Sequence, residues 1–134
     1  MTSINSYSHN VSGEKDFGFA QAVKAGDTIY ISGQLSHDAD GEFIGANDFD
    51  TQINQIWANL QKVLDHFGIT RNHIVQDSVF VVDLPQHAAS VAGAHLAYFG
   101  DHRPTSTTVG VQSLFFPGQL VEISFVARTE IDAQ

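Results

Sequence analysis

The sequence predicts an α+β domain, a mixed sheet of six or so strands with two helices on one face. Three observations lead there. Two long segments repeat apolar residues at helical spacing. The segments around them alternate apolar and polar residues as strands do. A strand follows each long helix, so the order reads ββαβαββ, which suggests crossover units on one sheet. With 134 residues the chain reads as one domain, residues 1–134. A chain of this length buries roughly two-thirds of its unfolded surface, so it needs no disulfide or metal to fold.

The elements follow in order. "FGFAQAVKAGDTIYISGQL" reads as two strands with Gly26-Asp27 as the turn between them. In the second strand Ile29, Ile31 and Gly33 are expected on one face, and Tyr30, Ser32 and Gln34 on the other. "SHDADGEFIGAND" is a loop rich in Asp and Gly. "DFDTQINQIWANLQKVLDHFG" is the clearest helix, with Phe49, Ile53, Ile56, Trp57, Leu60, Leu64 and Phe67 on one face. Asn47 or Asp48 can cap its start and Gly68 can end it. "HIVQDSVFVVDL" is a strand whose apolar second half predicts burial on both faces. "PQHAASVAGAHLAYFG" is the second helix, opened near Pro85, closed at Gly100, with Ala88, Val91, Leu96 and Phe99 on one side. "TSTTVGVQSL" and "QLVEISFVARTEI" are the last two strands.

Two helices cover only one face of such a sheet. The other face meets water or another subunit. Ser32, Gln34, Ser78, Thr108 and Ser124 suit a partly polar second face at an oligomer interface, and closed rings of identical chains are the usual cover.

Composition narrows the function classes. The absence of cysteine removes disulfides, zinc–cysteine sites and thiolate nucleophiles. "MTSINSYSHN" lacks the basic and apolar segments of a secretory signal, and no apolar run approaches the ~20 residues of a membrane span, so a soluble cytoplasmic protein is expected. The net charge of -9, with no basic cluster, makes nucleic acid a poor partner.

Standard catalytic motifs are absent: there is no G-x-S-x-G, P-loop or G-x-G-x-x-G. The seven histidines lack the i, i+4 spacing of a helical zinc site, so no metal is expected, and each alone reads as a surface or structural residue. Glu122 stands apart. In "LVEISFVA" it shares a face with Leu120, Ser124 and Val126, where an unpartnered carboxylate is costly to bury. Arg128 shares that face but lies ~20 Å along an extended strand. Glu122 therefore points into a wet cleft, meets a group from another segment, or is simply a solvated strand residue. Gly33, in Ser32-Gly33-Gln34, admits a ligand or another backbone, and by itself also reads as an ordinary turn glycine.

"FAQAVKAGDTIYISGQL", "VFVVDL", "RPTSTTVGV" and "LVEISFVA", in this order along nearly the whole chain, resemble the Rid family, also called YjgF, the reactive intermediate deaminases. The resemblance implies a chorismate-mutase-like fold, a six-stranded sheet with two helices, in a homotrimer with a central β-barrel and ligand clefts between subunits. It implies hydrolysis of reactive enamines or imines with release of ammonia, without metal or cofactor. In deaminating members an arginine two residues after a proline clamps the substrate carboxylate, and a tyrosine, an asparagine and a glutamate complete the site.

Carried over position by position, the glutamate is Glu122, the expected catalytic residue, and the strand-end pair is Ser32 and Gly33. The tyrosine position holds Phe19, the asparagine position falls near Ala92, and the arginine position holds Ser106. A bidentate, charge-assisted clamp is thus replaced by one neutral hydrogen bond, worth roughly half as much. Arg103 lies ~10 Å before Ser106 along an extended chain and does not reach the same place; Arg71 or Arg128 of a neighbouring subunit is the other source of a cation. Ser32, Ser106 and Thr108 would then bind a neutral or weakly charged substrate. The expected function is a Rid-type hydrolase of altered specificity. A non-catalytic metabolite-binding trimer is the alternative. A chaperone-like or RNA-cleaving role, both attributed to relatives, is the third reading, and the acidity and absence of a basic groove argue against RNA.

Overall fold

The computed structural model describes residues 4–131. Its elements are β1 (Ile4–Tyr7), α1 (Ser12–Phe17), β2 (Ala22–Ala25), β3 (Thr28–Gln34), α2 (Phe49–Phe67), β4 (Ile74–Val82), α3 (Leu84–Phe99), β5 (Thr105–Val111) and β6 (Val121–Arg128), with a 3-10 turn at Arg71–His73. One mixed sheet runs β1-β2-β3-β6-β4-β5; only the β4–β5 pair, joined by α3, is parallel. The sixth strand is β1, in a segment with too little alternation to announce itself. The short α1 was equally illegible.

The core lies between the sheet and α2 and α3. Phe49, Ile53, Ile56, Leu60 and Leu64 of α2 are buried as the spacing predicts, and Val63 joins them. Asp48, not Asn47, caps this helix: its side chain accepts from Thr51 N at 3.2 Å, while Gly68, at φ 67°, ends it. From β6, Val121, Ile123, Phe125 and Ala127 point into the core, and Glu122, Ser124 and Val126 onto the other face.

Four expectations are corrected. Gln34 does not share the outer face with Tyr30. Between the pairs Ile31↔Phe125 and Gln34↔Ile123, β3 carries one residue more than β6. This bulge at Ser32-Gly33 resets the alternation and turns Gln34 into the core. There its amide donates to Gln21 Oε1 at 3.0 Å and Ser32 O at 2.9 Å, and its Oε1 lies 3.0 Å from His9 Nε2. Thr108 is also on the helix side, because it pairs with the core residue Val79. On α3, Val91, Tyr98 and Phe99 are buried, whereas Ala88 is exposed and Leu96 is 59% exposed. The core takes the Val91–Tyr98 side of α3, and Ala88 and Leu96 face a groove beside β5 instead. In β4, Val79 and Val81 are buried, but Phe80 and Val82 are only half-buried in the single chain. β5 is an edge strand, exposed from Thr105 to Gly110.

Candidate functional site

The residues singled out by the sequence fall into two groups on opposite faces of the sheet. The first surrounds Glu122. β6 carries this carboxylate on the outer face, opposite Phe80 of β4. Gln119 Nε2 donates to Glu122 Oε1 at 3.2 Å. Oε2 accepts no hydrogen bond among the described residues. It lies against the β3 bulge instead: a Cβ on Gly33 would sit 2.3 Å from it. The close approach that the glycine allows is therefore to a carboxylate. Ser32 Oγ donates to Ala20 O at 2.6 Å, which ties the bulge to the segment carrying Phe19. Phe17, Phe19, Ser32, Gly33, Phe116 and Glu122 line a cavity of about 360 Å³. Burial pushes the Glu122 carboxyl above its ordinary range, and the Gln119 hydrogen bond offsets this in part.

Gln119 is itself fixed. It is buried, and its Oε1 accepts from Phe116 N at 3.2 Å. The loop that holds it is anchored by Gln52 of α2, whose amide donates to Gly118 O at 2.9 Å and Gly45 O at 2.8 Å and accepts from Leu120 N at 2.8 Å. Gln52 and Gln119 escaped sequence reasoning. The only signal was a glutamine beside Ile53 on the apolar side of α2.

We expect Gly33→Ala to lower any Glu122-dependent activity by roughly 10²-fold, since the new methyl displaces the carboxyl group. The fold should be largely kept, because a flexible side chain can swing aside. Thermal melting and steady-state kinetics on one preparation separate the two effects.

The second group lines a groove of about 490 Å³ between α3 and β5, with Ala92, His95, Leu96, Arg103, Ser106 and Thr108 on its walls. Ser106 does not face it freely. Its Oγ donates to Oδ1 of Asp77, a residue 1% exposed on β4, and Oδ2 of the same carboxylate lies 2.6 Å from His95 Nε2. The Ser106 proton is thus taken, and its lone pairs are what a ligand would meet. The sequence reading missed Asp77 and His95. The signal was present: Asp77 shares the face of Val79 and Val81, and a charge on an apolar face needs a partner.

Each arginine weighed as a replacement clamp has partners within the chain. Arg103 Nη1 donates to Gly100 O and to His102 O. Arg71 Nη1 donates to Tyr98 O at 2.5 Å, with its guanidinium 4.3 Å from the centre of the Tyr98 ring. Arg128 lies 3.9 Å from Asp27.

Strand register keeps the two groups apart. Thr108, Val79 and Ile123 form one row of the sheet; Val109, Phe80 and Glu122 form the next, on the opposite face. Within one chain Glu122 cannot meet Ser106, Thr108 or Ala92. Among the described residues no helix is long and apolar enough to cross a membrane.

The endoribonuclease L-PSP family model matches residues 13–129. The mitochondrial protein mmf1 of Schizosaccharomyces pombe is 34% identical over 81% of this chain and 67% of its own. A RutC family protein of Pyrococcus horikoshii is 29% identical over 84% of this chain and 87% of its own. Among solved structures, RidA from an Antarctic Psychrobacter is similar with a TM-score of 0.74 and 31% identity, covering 82% of this chain and 87% of its own. A member of the YjgF/YER057c/UK114 family from Mycobacterium tuberculosis reaches a TM-score of 0.82 at 25% identity, covering 94% and 99%.

Proposed function

The chain belongs to the endoribonuclease L-PSP family, the group of the RutC and Rid proteins, and from that premise we propose that it hydrolyses a reactive imine or enamine. The observation that carries this is Glu122: a desolvated carboxylate in a small-molecule-sized cavity, held at one oxygen by Gln119 and open at the other. In the reaction, Glu122 takes a proton from water as its oxygen adds to the C=N carbon. The same proton then goes to the nitrogen of the carbinolamine. The C–N bond breaks, and a carbonyl compound and ammonia leave.

The working cleft lies between two copies in a homotrimer. One copy supplies Glu122, Gly33, Ser32 and Phe19; its neighbour supplies Ser106, Thr108 and Ala92. Two features support this: the two groups sit on opposite faces of one chain, and the groove borders β5, an edge strand whose unpaired groups suit contact with another chain. With Ser106 in the arginine position, the specificity differs from that of members that clamp a carboxylate.

The test is ammonia release from a panel of imines made in situ. Because Glu122 acts ionised, kcat/KM should rise with pH through a value above the ordinary carboxylate range. A rate that is flat from pH 4 to 8 would remove Glu122 as the base.

A second reading is favoured by Phe19 and Ala92, which lack the polar groups of deaminating members: the same cleft binds a metabolite without turning it over. Ligands that raise the melting temperature and are never converted would select it. RNA cleavage suits the cleft less well, because the net charge is -9 and Arg103 is the one arginine on either lining.

A further inference from the structure

Phe17, Phe19, Phe115 and Phe116 line the Glu122 cavity. Phe17, Phe19 and Phe115 are 66%, 43% and 64% exposed, yet all three converge on this one opening. Four rings form a connected wall: Phe17 meets Phe115 edge-on at 5.3 Å, Phe115 meets Phe116 at 4.9 Å, and Phe43 stacks behind Phe116 at 5.2 Å. Among the described residues no Lys or Arg lines the cavity. Its ionisable groups among the described residues are Glu122 and His37, and the His37 Nδ1 is engaged with Asp38 O at 3.0 Å.

Resting on the hydrolytic reading above, we infer that the site takes an imine with an aryl or comparably bulky apolar substituent and no carboxylate, bound with its protonated nitrogen on Glu122 Oε2 and its apolar group against the phenylalanine wall. A protonated imine or amine is attracted both by the carboxylate and by the electron-rich faces of the rings. A ligand carboxylate would meet Glu122 with no cation among the described residues of this cavity to offset the repulsion, and Arg103 on the facing groove is engaged by Gly100 O and His102 O. On the facing groove Ser106 Oγ donates its hydrogen bond to Asp77, so it offers a ligand its lone pairs, which suit an N–H and not a carboxylate. The conversion is R₂C=NH₂⁺ plus water to R₂C=O plus NH₄⁺, with no further reactant.

Unreactive probes read the ligand class independently of turnover. Calorimetry on the full chain should show benzylamine binding at least tenfold more tightly than benzoate and tenfold more tightly than methylamine. Phe115→Ala, a change at an exposed side chain, should erase most of the advantage over methylamine. Benzoate binding as tightly as benzylamine, or methylamine matching it, overturns the inference. Turnover separates this from the broader proposal. If benzylamine binds as expected and no imine is hydrolysed, the ligand class stands and the hydrolase reading fails. If 2-imino acids are hydrolysed in preference to carboxylate-free aryl imines, the hydrolase reading stands and this class is wrong.

Discussion

Glu122→Gln should abolish most imine hydrolysis while leaving the protein at least as stable at neutral pH. The replacement keeps the shape and can still accept from Gln119, but it cannot take a proton from water. Loss of a positioned acid–base group lowers kcat by about 10²- to 10⁴-fold. The stability half of the prediction follows from linkage. Burial raises the carboxyl's pKa in the folded state above its unfolded value. Its protonated form therefore favours folding; that contribution is full below the unfolded pKa and is lost as pH rises through the folded one. At pH 7 the ionised Glu122 works against the fold, and the neutral amide relieves this. The melting temperature of the variant should equal or exceed that of the wild type at pH 7, with the gap closing in acid. A variant that melts well below the wild type at pH 7 would mean that the carboxylate is a structural tie. Unchanged turnover of every imine would mean it is not the base.

The largest loss of stability is expected at Gln52→Leu. The side chain is fully buried and joins three backbone groups, Gly45 O, Gly118 O and Leu120 N. Leucine fills similar space but strands Leu120 N, whereas Gly45 O and Gly118 O keep the backbone donors Asp48 N and Asn47 N. A buried group left unpaired costs ~1–3 kcal/mol, so with the two lost carbonyl contacts a loss of about 2 kcal/mol is expected, a sizeable part of a typical domain's stability. In a chain of this size that is a drop of roughly 6–8 °C in Tm. The freed loop also carries Gln119, so Glu122 loses its anchor and activity should fall even at temperatures where the protein is folded. Denaturant titration and kinetics at low temperature test both halves. A Tm change within about 2 °C would show that water satisfies Leu120 N instead.

Where local periodicity carried the signal, the fold could be read from the sequence. The α2 core face and the in–out alternation of β6 around Glu122 came from spacing alone. Gln34 was misassigned because alternation assumes an unbroken strand, and the bulge at Ser32-Gly33 shifts it by one residue. α3 was misread because its small and apolar residues run nearly all round, so periodicity could not tell the core side at Val91 and Tyr98 from the groove side at Ala88 and Leu96. The candidate site divided in the same way. Glu122, Gly33 and Ser106 were found as individual positions. Their true neighbours, Gln119 for the first and Asp77 with His95 for the last, depend on contacts between distant segments that no local pattern encodes.

That Glu122 and the Ser106 groove act together across two copies is the claim on which the mechanism depends. The direct measurement mixes two inactive proteins. Glu122→Gln removes the base from one face, and Ser106→Trp fills the groove on the other. If the cleft joins Glu122 of one copy to the groove of its neighbour, unfolding and refolding the two together at equal amounts rebuilds intact clefts at about a quarter of the interfaces, and imine hydrolysis returns to about a quarter of the wild-type rate. Mixed assemblies that form and stay as inactive as the separate variants would contradict the shared site.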